Sequence, residues 1–210
     1  MKPFYSGEKL SKKKKFVRKV YFLAWGLLVS LMISSVAFGT VSQASYKSSE
    51  RKQVSSRWKY IVIHHSATRQ GNAKYFDSYH RRRGMRNGLA YHFVINNGTS
   101  GREQGELEIG SRWKKQLNGG HCKQDWINNS GIGICLVGNF NKDKVSKEQF
   151  NTLFELCKLL IERYNIPVKN IMGHGHVRGE HSACPGKYFP LKELKKELIG
   201  YEKSKGSGIP

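Results

Sequence analysis

The sequence predicts an α/β domain with a mixed central β-sheet flanked by helices. Three observations carry that prediction. Short apolar runs rich in β-branched residues lie at 58–64, 89–96 and 131–140 and end in polar or glycine-bearing text, as buried strands do. A long apolar repeat at helical spacing follows at 147–165. Strand-like and helix-like stretches alternate along the chain, the pattern of helices packed on a sheet.

The chain begins with a basic leader, residues 1–19, in which eight Lys and Arg stand against Glu8. Residues 20–39, VYFLAWGLLVSLMISSVAFG, are apolar and uncharged. About twenty such residues suffice to cross a bilayer as a helix. The lysines before them place the N-terminus in the cytoplasm. Two readings stand: an uncleaved transmembrane anchor, or a signal segment cut near Ser42-Gln43-Ala44, which has the small-x-small form. Either way the rest of the chain is expected outside the cytoplasm, anchored in the membrane or secreted. Residues 40–57 are polar and read as a linker.

The folded domain is expected over 58–195. Trp58 to His64 is a strand that runs into the loop His64-His65-Ser66. Residues 74–83 suit a short basic helix, broken by Gly84 and Asn87-Gly88. Residues 89–96, LAYHFVIN, form a second strand, and Asn97-Gly98 suggests a hairpin turn after it. Residues 103–130 carry no clear periodicity. Residues 131–140, GIGICLVGNF, read as a central buried strand. In the helix at 147–165, Ser146 and Gln149 have capping-box spacing, and Phe150, Leu153, Phe154, Cys157, Leu160, Ile161 and Tyr164 face the core. Ile166-Pro167 ends it. A last short helix is expected over 191–199, with a flexible tail over 196–210.

Hydrophobic residues make up 38% of the 210-residue chain, enough for one core. The formal net charge is +22, from 37 basic and 15 acidic residues. That balance calls for an anionic partner: nucleic acid, a membrane surface or an acidic wall polymer. No nucleic-acid recognition motif accompanies the cations, so nucleic acid is not expected. The four cysteines, Cys122, Cys135, Cys157 and Cys184, have no disulfide-framework spacing. Cys135 lies in an apolar strand and Cys157 on the apolar face of a helix, where a thiol acts as a small hydrophobe.

Cys184 is different. The stretch Ile171 to Gly186, IMGHGHVRGEHSACPG, holds His174, His176, His181 and Cys184. Imidazole and thiolate are the ligands zinc prefers, yet this spacing fits no common zinc-finger pattern. A further ligand must come from elsewhere, and His64 at the end of the first strand is the candidate. His64, His174 or His176, and Cys184 would leave one tetrahedral position open, the arrangement of a catalytic ion that activates water and polarises a carbonyl.

IVIHHSAT (61–68), AYHFVINNGT (90–99), GGHCKQDWINNSGIGICLVGNF (119–140) and NIMGHGHV with ACPGKYFP (170–190) resemble the zinc-dependent N-acetylmuramoyl-L-alanine amidases. This family includes phage amidase-type lysozymes and peptidoglycan recognition proteins. The segments come in the family's order. The resemblance implies the family's fold and one catalytic zinc ion. It implies hydrolysis of the amide between N-acetylmuramic acid and the L-alanine of peptidoglycan, in the bacterial cell envelope. Peptidoglycan and, through the N-terminal helix, the membrane are the implied partners, and a monomer is expected. A non-catalytic peptidoglycan-binding module of the same fold is the alternative.

By the same resemblance His64 is a metal ligand and His65 its neighbour in the loop, near substrate. Tyr91 matches the tyrosine that steadies the transition state, a role a phenol O–H can fill. Cys184 matches the last ligand. The family shows ten- and eight-residue intervals from the middle histidine to that ligand, met by His174 and His176 respectively. Ile171, Gly173, His174 and Val177 fit the family's usual frame, which favours His174. His121 matches a pocket histidine expected to touch substrate, and Asn129 is a weaker candidate of the same kind. Two positions depart from the pattern. Ser182 stands where many relatives carry a catalytic Lys or Thr, and Cys135 where some carry a glutamate base.

Overall fold

Among the described residues, five strands form one sheet: β1 (Tyr60–His65), β2 (Phe93–Asn97), β3 (Gln104–Ile109), β4 (Gly131–Leu136) and β5 (Ile171–Gly173), in the order β3-β2-β4-β1-β5. β1 runs parallel to β4 and β5, β2 runs parallel to β4, and β3 is the antiparallel edge. The sheet is therefore mixed, as the alternation of elements predicts. This computed structural model describes residues 57–206, all within the second of two units, Gln53–Pro210. The leader, the apolar segment 20–39 and nearly all of the linker lie outside the described residues. Among the described residues, no helix is long and apolar enough to cross a membrane.

The helices are α1 (Ala73–Arg82), α2 (Ser111–Lys114), α3 (Asp125–Ser130), α4 (Lys147–Tyr164) and α5 (Leu191–Gly206). Period-two alternation along the strands separates two cores. Ile61, Ile63, Phe93, Ile95, Ile132, Ile134 and Leu136 meet Leu153, Leu156, Cys157, Leu160 and Ile161 of α4, with Leu194 and Leu198 of α5. Each such buried side chain contributes about 1.5–3 kcal/mol relative to exposure. The residues between them on the strands turn to the opposite face. There Val94 and Val137 pack with Phe76 of α1, while Val62 packs with Ile127 of α3.

Several expectations change in detail. The second strand starts at Phe93, because the backbone of residues 89–92 is bonded largely outside a ladder. The Ala90 N–H donates to His80 Nδ1, and the Ala90 and His92 carbonyls accept from the Gly120 and Gly110 N–H groups. Residues 103–130 hold β3, α2 and α3, elements too short to show a period. The last helix runs to Gly206, past the expected start of a loose tail, with Tyr201 bonded to Glu162 of α4.

The capping box at α4 is half formed. Ser146 Oγ accepts from the Gln149 N–H at 3.1 Å. The Gln149 side chain does not reach back. It is buried and donates to the carbonyls of Val137 at 2.9 Å and Ile95 at 3.3 Å. The Val137 carbonyl, just past β4, outranks a cap, because a buried unpaired carbonyl costs about 1–3 kcal/mol.

Candidate metal centre

β1 and β4 are neighbours in parallel register, with Val62 opposite Gly133 and His64 opposite Cys135. His64 follows Val62 onto the face away from α4, whereas His65 turns toward it. The adjacent histidines thus receive different tasks. His65 Nδ1 accepts the Phe140 N–H at 3.1 Å, and its own backbone N–H donates to Cys184 Sγ at 3.3 Å. The His65 ring is buried scaffold.

His174 opens a 3-10 turn directly after β5. The turn carrying Cys184 lies against it: the Gly175 N–H donates to the Cys184 carbonyl at 2.8 Å. A Cβ on Gly175 would fall 2.0 Å from the Ser182 carbonyl oxygen, so only glycine admits this approach. As a result one ligand atom each from His64, His174 and Cys184 lies within 4.8 Å of the others. His64 Nδ1 is 3.8 Å from Cys184 Sγ, and the His64 and His174 ring centroids are 4.6 Å apart. His176 is exposed and joins no such group among the described residues.

The second ring nitrogens are also engaged. His174 Nε2 is 3.1 Å from Glu180 Oε2. The Glu180 side chain is only 1% exposed, and its Oε1 accepts from the Lys123 and Gln124 N–H groups at 2.5 and 3.2 Å. Such a carboxylate draws the imidazole proton to Nε2 and leaves Nδ1 as the ligand.

His64 Nε2 is 3.1 Å from His121 Nδ1, and His121 Nε2 is 3.3 Å from the Gly131 carbonyl. A carbonyl only accepts, so His121 carries its proton on Nε2. Its Nδ1 then accepts from His64 Nε2–H, which leaves His64 Nδ1 facing Cys184 with its lone pair free. The Cys122 thiol, 3.3 Å from His121 Nδ1, competes for the same lone pair.

Burial sets the charge state. It pushes His64 well below the usual histidine range, with His121 and His174 adding to the effect. It pushes His121 down to about 3 and the Cys184 thiol up to about 12. The pocket therefore offers neutral imidazoles and a thiol whose proton an ion must displace. Two imidazoles and one sulfur converging in this way, with their far nitrogens tied down, fit a zinc ion.

Tyr91 stands beside His64, ring centroids 5.2 Å apart. Its hydroxyl pairs with the Cys135 thiol, and burial followed by Cys135 and Cys184 raises its pKa well above 10. It is therefore a permanent O–H donor in the neutral range. Ser182 is exposed, and its Oγ accepts the Cys184 N–H at 3.1 Å.

The sequence-predicted pocket histidine, His121, is buried against His64. Asn129 is exposed and accepts from Asn118 at 2.5 Å. Its neighbour Asn128 is the buried one. Asn128 Oδ1 accepts from the His121 and Cys122 N–H groups at 3.0 and 3.1 Å and so fixes the GGHC loop. Sequence reasoning missed Asn128 and Glu180. An acid six residues after the middle histidine was the available signal for Glu180, but only folding shows that it is buried.

A family model described as N-acetylmuramoyl-L-alanine amidase matches residues 54–187. The chain belongs to this amidase family. Among solved structures it is similar to the N-acetylmuramoyl-L-alanine amidase LysC from Clostridium intestinale. The identity is 30% and the TM-score 0.58, covering 68% of this chain and 87% of LysC. At 20% identity and a TM-score of 0.52, AmpDh3 from Pseudomonas aeruginosa, solved with an anhydromuramic pentapeptide, shares the fold over 81% of this chain and 75% of its own. Bumblebee PGRP-SA shares it at 21% identity and a TM-score of 0.52, over 68% and 83%. No curated protein gives a match.

Proposed function

We propose that this amidase-family domain is a zinc-dependent N-acetylmuramoyl-L-alanine amidase that cleaves the amide between N-acetylmuramic acid and L-alanine in peptidoglycan. The convergence of His64, His174 and Cys184 carries the reading. When bound there, zinc would supply Lewis-acid activation of water and of the scissile carbonyl.

The chain's own groups do the remaining work. His121 and Glu180 hold the two ligand imidazoles in the required tautomer. Tyr91, kept protonated by its buried surroundings, donates its O–H to the oxygen on which negative charge develops. Ser182 fixes the Cys184 backbone and keeps its own O–H available as a second donor. Cys135, at the position of a glutamate in some relatives, supplies no carboxylate base. It orients Tyr91 instead.

The acidic wall polymer accounts for the chain's surplus of cations, and residues 20–39 would carry the domain out to it, as an anchor or a cleaved signal. A monomer suffices, since every residue invoked comes from one chain. A module that only binds peptidoglycan would not need this set of donors. The test is digestion of purified peptidoglycan by the full chain, with free L-alanine N-termini as the readout. Release should stop on chelation, return with zinc and be absent in His64→Ala. Undiminished release after chelation and dialysis, or binding without any cleavage by the zinc-loaded chain, would overturn the proposal.

A further inference from the structure

Behind the donor set lies a second group of metal-binding side chains, centred on Cys122. One ligand atom each from Cys122, His174 and Glu180 lies within 4.8 Å of the others. Cys122 is half-buried, and its backbone is pinned by Asn128, which accepts its N–H at 3.1 Å and donates to its carbonyl at 2.8 Å. The sulfur is thereby held beside the histidines. Glu180 supplies a buried carboxylate, positioned by the Lys123 and Gln124 N–H groups. A thiol, an imidazole and a carboxylate form a donor set suited to zinc and to other thiophilic divalent ions.

We propose that Cys122, His174 and Glu180 form a second divalent-ion site that shares His174 with the catalytic set. The inference rests on His174 holding the catalytic ion as proposed above. Ion binding expels the Cys122 thiol proton to solvent, so one thiolate and one carboxylate neutralise a dication. A neutral imidazole has one free lone pair, so His174 serves one ion at a time: an ion on the Glu180 side takes the Nε2 lone pair, and the ring proton moves from Nε2 to Nδ1. The two positions therefore exclude each other. An ion at Cys122 lies on the Glu180 side of His174 and takes that ligand from His64 and Cys184. The second position is a non-productive store, filled when the catalytic set loses a ligand.

Cobalt absorption on the full-length chain tests this, because each cobalt–thiolate bond adds a charge-transfer band. Cys184→Ser should keep a band of near wild-type strength at one equivalent of cobalt, from Cys122. Adding Glu180→Gln should weaken cobalt binding tenfold or more, and Cys122→Ser/Cys184→Ser should abolish the band while circular dichroism reports an intact fold. A missing band in Cys184→Ser, a band that persists in the double variant, or indifference to Glu180→Gln overturns the proposal. The catalytic set is read separately: Cys122→Ser keeps the band only if Cys184 binds the ion, so failure there strikes the proposed function instead.

Discussion

Replacing Glu180 by glutamine keeps the side chain's shape and removes its charge. Glu180 now accepts from three N–H groups: Lys123 and Gln124 at Oε1 and His174 at Oε2. A glutamine has one acceptor oxygen and one NH2 donor, so it cannot satisfy both sides. If the NH2 faces His174, it donates to Nε2, the ring proton moves to Nδ1 and the ligand lone pair is lost. If the oxygen faces His174, two backbone N–H groups face a donor in a buried place, at about 1–3 kcal/mol each. Loss of such a partner of a metal-bound histidine lowers affinity by about 10–100-fold, or about 1.4–2.8 kcal/mol. Zinc competition against a chromophoric chelator should show that loss in Glu180→Gln, with circular dichroism confirming the fold. An affinity within about twofold of wild type, in a folded chain, would refute the claim that Glu180 sets the His174 tautomer.

Gly133→Ala tests the other imidazole. Its Cβ would fall 2.3 Å from His121 Cδ2 and 2.7 Å from its Cγ and Nε2, so the ring must shift. Overpacking of this kind costs about 1–3 kcal/mol, a Tm lower by about 2–12 °C. Zinc affinity should fall at least about tenfold, since displacing His121 frees His64; a lower Tm with unchanged affinity would contradict the His121–His64 link. Acid should unfold the domain partly through His92, which is fully buried and held down to about 4 by burial, with the Gly133 N–H on its Nδ1 at 2.9 Å. Its folded pKa lies below the unfolded value of about 6.5, so the unfolded chain binds more protons between those values and stability is lost there as the pH is lowered. Urea titrations should show about 2 kcal/mol lost from His92 alone between pH 7 and pH 5, and a flat profile over that window would count against it.

The sequence by itself showed the strands β1, β2 and β4, the helix α4 and, through the resemblance, the candidate ligands, but not β3, α2 or α3. Strand β4 is legible because both its faces are covered, which demands the continuous apolar run from Ile132 to Leu136. Helix α4 is legible because one face must be apolar over eighteen residues. His64 and Cys184 are legible because each lies in a segment that resembles its counterpart in the amidase family. The resemblance already separated His64 from His65, and the tertiary structure supplied the physical reason, which is the face of the sheet each strand residue takes. The family frame already favoured His174 over His176, and the structure adds the contact with Glu180, which does not appear in the text. The structure also placed His121 at the back of His64, and it brought Asn128, Glu180 and Cys122 beside the site. The role of Glu180 depends on distances between segments more than fifty residues apart, such as Lys123 to Glu180. Local pattern reports periodicity and turn chemistry, while the partner of a buried polar group is chosen by how the loops pack at the ends of the strands.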